Sequence, residues 1–166
     1  SILTATVNLK HKTLLSLVYS AGLRIGEAID LKLSDIDEQR MLIHIKQAKG
    51  KKDRYTLLSP SFLKLLKEYL ASYKPKTYLF EGQNSDQYSS RSAQQVLKEA
   101  LSHTQIKKHV TLHTLRHSFA THLLENGTDI RYIQTLLGHN DPKTTMIYTH
   151  VSQSSIQRIK NPFDFL

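Results

Sequence analysis

The stretch TLHTLRHSFATHL, residues 111–123, places His113, His117, His122 and Arg116 within thirteen positions. Imidazoles and a guanidinium this close can hold a metal, move a proton, grip a phosphate, or decorate a surface helix. At 100° per residue, Leu112, Leu115, Phe119 and Leu123 fall in one stripe about 80° wide that must face a core. His113 and Arg116 lie about 60° apart at the edge of that stripe, and His122 falls opposite His113. The one i,i+4 pair is His113 with His117. A metalloprotease helix needs Glu directly after the first His, where this chain has Thr114. With no cysteine in the chain, a zinc hydrolase is the weakest reading. His113 and Arg116 do converge at the first turn, where unpaired backbone N–H groups and the positive dipole end favour an anion. A phosphate held by the Arg116 fork, with a neutral imidazole beside it to accept a proton, is a phosphoryl-transfer site. Taken alone, the stretch reads better as a capped surface helix with a structural histidine.

The whole chain shifts the balance. Lys and Arg number 23 against 14 Asp and Glu, a formal charge of +9. Nine of the basic residues lie between Ile43 and Lys76, among them Lys46, Lys49, Lys51, Lys52 and Arg54, facing only Asp53 and Glu68. Such a concentration expects a phosphate backbone as partner, with Lys46, Lys51, Lys52 and Arg54 as DNA contacts. The absence of cysteine excludes disulfides and thiolate metal sites. No apolar run approaches the roughly 20 residues a membrane span requires, and no signal-peptide pattern opens the chain, so the expected compartment is the cytoplasm.

His139 follows Gly138, 23 residues beyond Arg116, and Tyr148 comes nine residues later. Arg24 sits in AGLRIGEA and Lys49 in QAKGKKDR. The ordered set Arg24, Lys49, His113-x-x-Arg116, His139, Tyr148 resembles the tyrosine recombinase, or phage-integrase-type, family. The surrounding words YSAGLRIGEAIDLKLSDID, TLHTLRHSFATHLLENGTDIRYIQTLLGH and TTMIYTH resemble it too, over essentially the whole chain and nearest its Xer-like and mobile-element members.

The resemblance implies a catalytic domain at 1–152, a C-terminal tail at 153–166, and an N-terminal core-binding domain that is not part of this chain. It implies that Tyr148 attacks the scissile phosphate to form a 3′-phosphotyrosine and release a 5′-hydroxyl. A phenol has a pKa of about 10, so the attack needs a proton acceptor and a screened phosphate. His113 would take or help take the proton, Arg24 and Arg116 would grip the non-bridging oxygens, and His139 would donate to one of them. Lys49 would protonate the leaving oxygen, with Lys51 and Lys52 as competitors for that task. Glu27 and Asp30 would buttress Arg24. Neither metal nor other cofactor is expected, since two guanidiniums supply the charge. Expected partners are double-stranded DNA at a specific site, within the bacterial nucleoid, and further copies of the chain joined into a dimer or tetramer through the tail. The rivals are a type IB topoisomerase of like chemistry and a non-catalytic DNA-binding module.

These residues need elements to hold them. Apolar spacing predicts a buried helix over Leu9 to Ala21, broken by Gly22, and a short helix from Arg24. MLIHIK (41–46) and RYTLLS (54–59) read as a hairpin around the polar QAKGKKD loop. Pro60 opens a helix to about Tyr73, TYLF (77–80) is a possible short strand, and Arg91 to His103 is helical. Thr111 caps the histidine helix, Gly127 follows it, and another helix runs from Asp129 to Leu137. Asp141 and Pro142 would start the helix that carries Tyr148. Ile156, Ile159 and Phe163 give residues 153–161 an apolar face, with Pro162 as terminator. The expected fold is mainly α with a small antiparallel β-sheet.

Overall fold

In this computed structural model the described residues are 1–46, 53–138 and 156–166. The helices are α1 (Ile2–Ala5), α2 (Leu9–Ala21), α3 (Ile25–Asp30), α4 (Pro60–Tyr73), α5 (Ser90–Ser102), α6 (Leu112–Glu125) and α7 (Ile130–Leu137). Between α3 and α4 lie β1 (Ile36–Asp37), β2 (Leu42–Ile45) and β3 (Arg54–Leu57). The fold is mainly helical with one small antiparallel sheet, as the sequence predicts.

Helix α2 is the centre. Asn8 caps it by accepting from the His11 amide at 3.1 Å, and Gly22 ends it in the left-handed region at φ +65°. Leu14, Leu15, Leu17 and Val18 are fully buried, and α3, α4, α5 and α6 all pack against it. Gly22 is required twice over. Its φ disfavours a side chain, and a Cβ there would lie 2.5 Å from Phe119 Cδ1 on α6.

The last carbonyls of a helix have no partner within it. Here three consecutive ones are claimed by distant parts of the chain. Ser20 O accepts from Asn161 Nδ2 at 2.6 Å, Ala21 O from Thr56 Oγ1 at 2.7 Å, and Gly22 O from Arg116 Nη1 at 2.6 Å. The tail, β3 and α6 thus meet at one turn.

The sheet has the order β1-β2-β3, antiparallel throughout, with Ile36 opposite Ile43 and Leu42 opposite Leu57. The expected hairpin is there; β1, two residues long, is too short to show a period and was not predicted. TYLF does not form a strand. Tyr78 makes one isolated bridge to Lys32, flanked by Leu33 N donating to Thr77 O and Leu79 N to Leu31 O. Leu79 and Phe80 then turn into the core.

Helix α6 starts at Thr111, whose Oγ1 accepts from the Thr114 amide at 3.2 Å while Thr114 Oγ1 accepts from the Thr111 amide at 3.0 Å. Asp129 caps α7, and Gly138 closes it at φ +70°. The expected helix from Asp141 lies outside the described residues, as do residues 153–155. In the described tail, Ile156 is buried and Ile159 and Phe163 pack against the core. Pro162 does not terminate a helix there. It opens a 3₁₀ turn, Pro162–Phe165, capped by Asn161. Asp164 Oδ1 accepts from Ser59 Oγ at 2.6 Å and from the Ser61 amide at 3.0 Å, fixing the turn to the start of α4. Phe165 and Leu166 remain exposed. Among the described residues no helix is long and apolar enough to cross a membrane.

Candidate active site

Seven of the expected site residues, Arg24, Glu27, Asp30, Lys46, Arg54, His113 and Arg116, lie among the described residues, and Arg24, Glu27 and Arg116 meet beside the end of α2. Lys49, Lys51, Lys52, His139 and Tyr148 lie outside them. Arg116 falls within the apolar stripe of α6, beside Leu112, Leu115, Phe119 and Leu123, and its side chain is 4% exposed. A buried guanidinium needs acceptors. Its Nη1 donates to Gly22 O, and its Nη2 to Leu137 O at 2.7 Å. Two left-handed glycines thereby set its orientation: Gly22 offers its own carbonyl, and Gly138 ends α7 just after Leu137.

Arg24 is the residue before α3. Its backbone N–H donates to Glu27 Oε1 at 2.9 Å, and its Nη1 lies 3.8 Å from Glu27 Oε2 with the side chain half exposed. Arg116 Nη1 lies 3.7 Å from Glu27 Oε1. One carboxylate therefore sits between the two guanidiniums, which are brought together as expected. Burial, then the charges of Arg24 and Arg54, push the Arg116 guanidinium down to about 10, against the pull of Glu27. It stays cationic at neutral pH. His113, on the first turn of α6, is exposed and shares with Arg116 the lining of a cavity between α6 and α7. The arrangement offers an anion one fixed cation, one adaptable cation and an accessible imidazole.

Three expectations need correction. Arg54 is not an exposed DNA contact: it is buried, its Nη1 and Nη2 donate to Glu27 Oε2 and Oε1, and its Nε donates to Leu136 O at 2.8 Å. Asp30 does not buttress Arg24; its Oδ1 accepts from Gln87 Nε2. Glu27 serves Arg54 more closely than Arg24. Lys46 remains exposed, with its Nζ 3.3 Å from Asp35 Oδ1, an ion pair without hydrogen-bond alignment. Of the remaining histidines, His117 is exposed, while the half-buried His122 is hydrogen-bonded through Nδ1 to Tyr19 Oη at 2.7 Å. Among the described residues no group of three His, Asp or Glu is placed to hold a metal ion.

The sequence reading passed over a second basic region. Lys98, Lys107, Lys108 and His109 line an open cavity of about 840 Å³ that reaches His113. The signal was the run KKH at 107–109, directly before the site helix.

Arg24 and Arg116 meet at one carboxylate, and His113 lines a cavity with Arg116, so the site has the charge to take an anion. The phage integrase family model matches residues 1–155, and the chain belongs to that family. A protein of Sinorhizobium fredii (strain NBRC 101917 / NGR234) named as an integrase/recombinase, y4qK, is 43% identical over 165 residues, covering 99% of this chain and 54% of that protein. The crystal structure of XerA recombinase superposes with a TM-score of 0.79 at 34% identity, covering 94% of this chain and 59% of that one. XerH site-specific recombinase, bound to its difH substrate before cleavage, gives 0.75 at 26% identity over 94% of this chain and 49% of that one. The chain spans between half and two thirds of the length of the first curated relatives it matches.

Proposed function

We propose that this chain carries the catalytic part, residues 1–152, of a site-specific recombinase that breaks and rejoins double-stranded DNA through a 3′-phosphotyrosine at Tyr148. The observation that carries the reading is the Arg24–Glu27–Arg116 cluster: two guanidiniums held together beside an exposed imidazole. Arg116 supplies a fixed fork for the non-bridging oxygens, and Arg24 closes from the solvent side. His113 accepts the phenol proton, His139 donates to the phosphate, and Lys49 protonates the 5′ oxygen as it leaves. The exchange of one phosphoester for another conserves bond energy, so neither ATP nor a metal is required. The basic surfaces around Lys46 and around Lys107 and Lys108 support DNA as the partner, in the bacterial nucleoid, and so does the DNA-bound state of XerH. The tail, seated on its own domain through Asn161 and Asp164, would transfer to a neighbouring subunit when dimers or tetramers assemble on DNA.

The test is covalent trapping on a nicked duplex carrying the repeats that flank the gene. Wild type should form an adduct that maps to Tyr148, with or without EDTA, and Tyr148→Phe should bind DNA without forming one. An adduct at normal yield in Tyr148→Phe would remove the tyrosine from its role. Lys49→Ala should cleave slowly, and a 5′-bridging sulfur, which leaves without a proton, should restore most of the rate. Equal defects on both substrates would exclude Lys49 as the acid.

A further inference from the structure

Arg54 is the one arginine of the cluster that the proposed reaction does not use. Its side chain is 7% exposed, and all three of its side-chain nitrogens already donate to acceptors within the protein. Its fork closes on both oxygens of Glu27, Nη2 to Oε1 at 3.0 Å and Nη1 to Oε2, while its Nε holds the Leu136 carbonyl. Glu27 stands at 3.8 Å from Arg24 Nη1 and 3.7 Å from Arg116 Nη1, beyond hydrogen-bonding distance. One carboxylate thus sits among three guanidiniums and is hydrogen-bonded by the one whose nitrogens all donate within the protein.

This distribution of distances has a chemical meaning. Three cations gathered around a largely buried point need a counter-charge, and the Arg116 guanidinium, already pushed down by burial and by its two neighbours, needs it most. A carboxylate free to move would form full ion pairs with Arg24 and Arg116 and cancel the charge that a phosphate must find there. Arg54 prevents this by occupying both carboxylate oxygens from the interior side.

We infer that Arg54 is a positioning residue, which binds Glu27 so that Arg24 and Arg116 keep their charge for a phosphate. The inference rests on the reading that those two arginines grip a phosphate. Its test uses the intact chain and two readouts: the affinity for inorganic orthovanadate, a phosphate mimic, by calorimetry, and covalent adduct formation on the nicked duplex. Arg54→Met frees Glu27 to pair with the site arginines, and vanadate binding should weaken by about tenfold or more. In Arg54→Met/Glu27→Gln the carboxylate charge is gone, and binding should return to within about threefold of wild type. Arg54→Lys, which keeps a charge on Glu27 without the fork, should fall between the two. A merely structural Arg54 would leave the double variant as weak as the single one, and that result overturns the inference. If Arg54→Met is too unstable to assay, the double variant decides alone: near-normal binding supports the inference and lost binding overturns it. Wild type that binds vanadate in this pattern but forms no adduct would sink the phosphotyrosine reading and leave the role of Arg54 standing. An adduct at normal yield in Arg54→Met would do the reverse.

Discussion

Arg24 and Arg116 share one carboxylate and are held in opposite ways. Arg116 is enclosed in the α6 stripe and tied to two backbone carbonyls from different elements. Arg24 precedes a six-residue helix, has its side chain half in solvent and only a loose contact with Glu27. The first is part of the core that happens to face the site; the second is a surface side chain the site recruits. The difference teaches that equal charges need not make equal contributions. A guanidinium fixed by the main chain is oriented before any ligand arrives and loses little freedom on binding, whereas a half-exposed one gains its orientation from the ligand.

Stability measurements can break this contrast. Arg116→Ala leaves the Gly22 and Leu137 carbonyls without their donor in the interior, and unfolding by urea should show a loss of about 3–5 kcal/mol together with no adduct. Arg24→Ala should unfold within about 1 kcal/mol of wild type, since only an exposed ion pair is lost. Its cleavage should nonetheless fall by about a hundredfold. Comparable destabilisation by the two would show that Arg24 is structural as well.

Gly22→Ala should come next in size. The added methyl must displace the Phe119 ring and occupy the left-handed region, at a combined cost of about 2–4 kcal/mol, read from the urea midpoint. Arg116 should be disturbed with it, because the same residue supplies its acceptor carbonyl. Full adduct yield from a folded Gly22→Ala protein would separate core packing from site geometry.

Lysine replacements sharpen the comparison further. Arg24→Lys keeps a mobile charge where a mobile charge is used, and Arg116→Lys cannot span two carbonyls and a phosphate at once. Adduct rates should differ by about tenfold in favour of Arg24→Lys, the worth of one charge-assisted hydrogen bond. The smallest expected effect belongs to Asp30→Ala, which removes only the exposed bond to Gln87. It should change stability by about 0.5 kcal/mol or less and leave the adduct rate alone, and a tenfold loss of rate would restore Asp30 to the site.

The helices were legible because their ends carry local signals. Gly22, Pro60, Thr111 and Gly138 stand where the sequence reading placed starts and stops, and the Leu112–Leu123 stripe is buried as its spacing required. Arg24, His113 and Arg116 stand out in the sequence by their order and their words, and the structure brings Arg24 and Arg116 to one carboxylate. Arg54 was misread because burial of an arginine depends on a partner far away in sequence, here Glu27, 27 residues back. Position in a basic hairpin spoke for the surface, and nothing local contradicted it. Asp30 failed for the same reason, its partner lying 57 residues on. Pro162 was read as a stop because proline ends a helix it follows; with Asn161 capping, the same residue starts a 3₁₀ turn.

The three carbonyls at the end of α2 carry a consequence for how the protein is made. Their donors lie 35, 94 and 141 residues along the chain, in the order Thr56, Arg116, Asn161. On a ribosome that adds roughly 5–20 residues each second, they emerge one after another over several seconds. The turn that orients Arg116 therefore forms early as a helix end but is not fully bonded until Asn161 has left the exit tunnel. A nascent chain stopped before that point would hold α2 with an open acceptor at Ser20. Ribosome-bound chains of increasing length, probed by pulse proteolysis, should gain protection at this turn in two late steps, the second only after residue 161 is free.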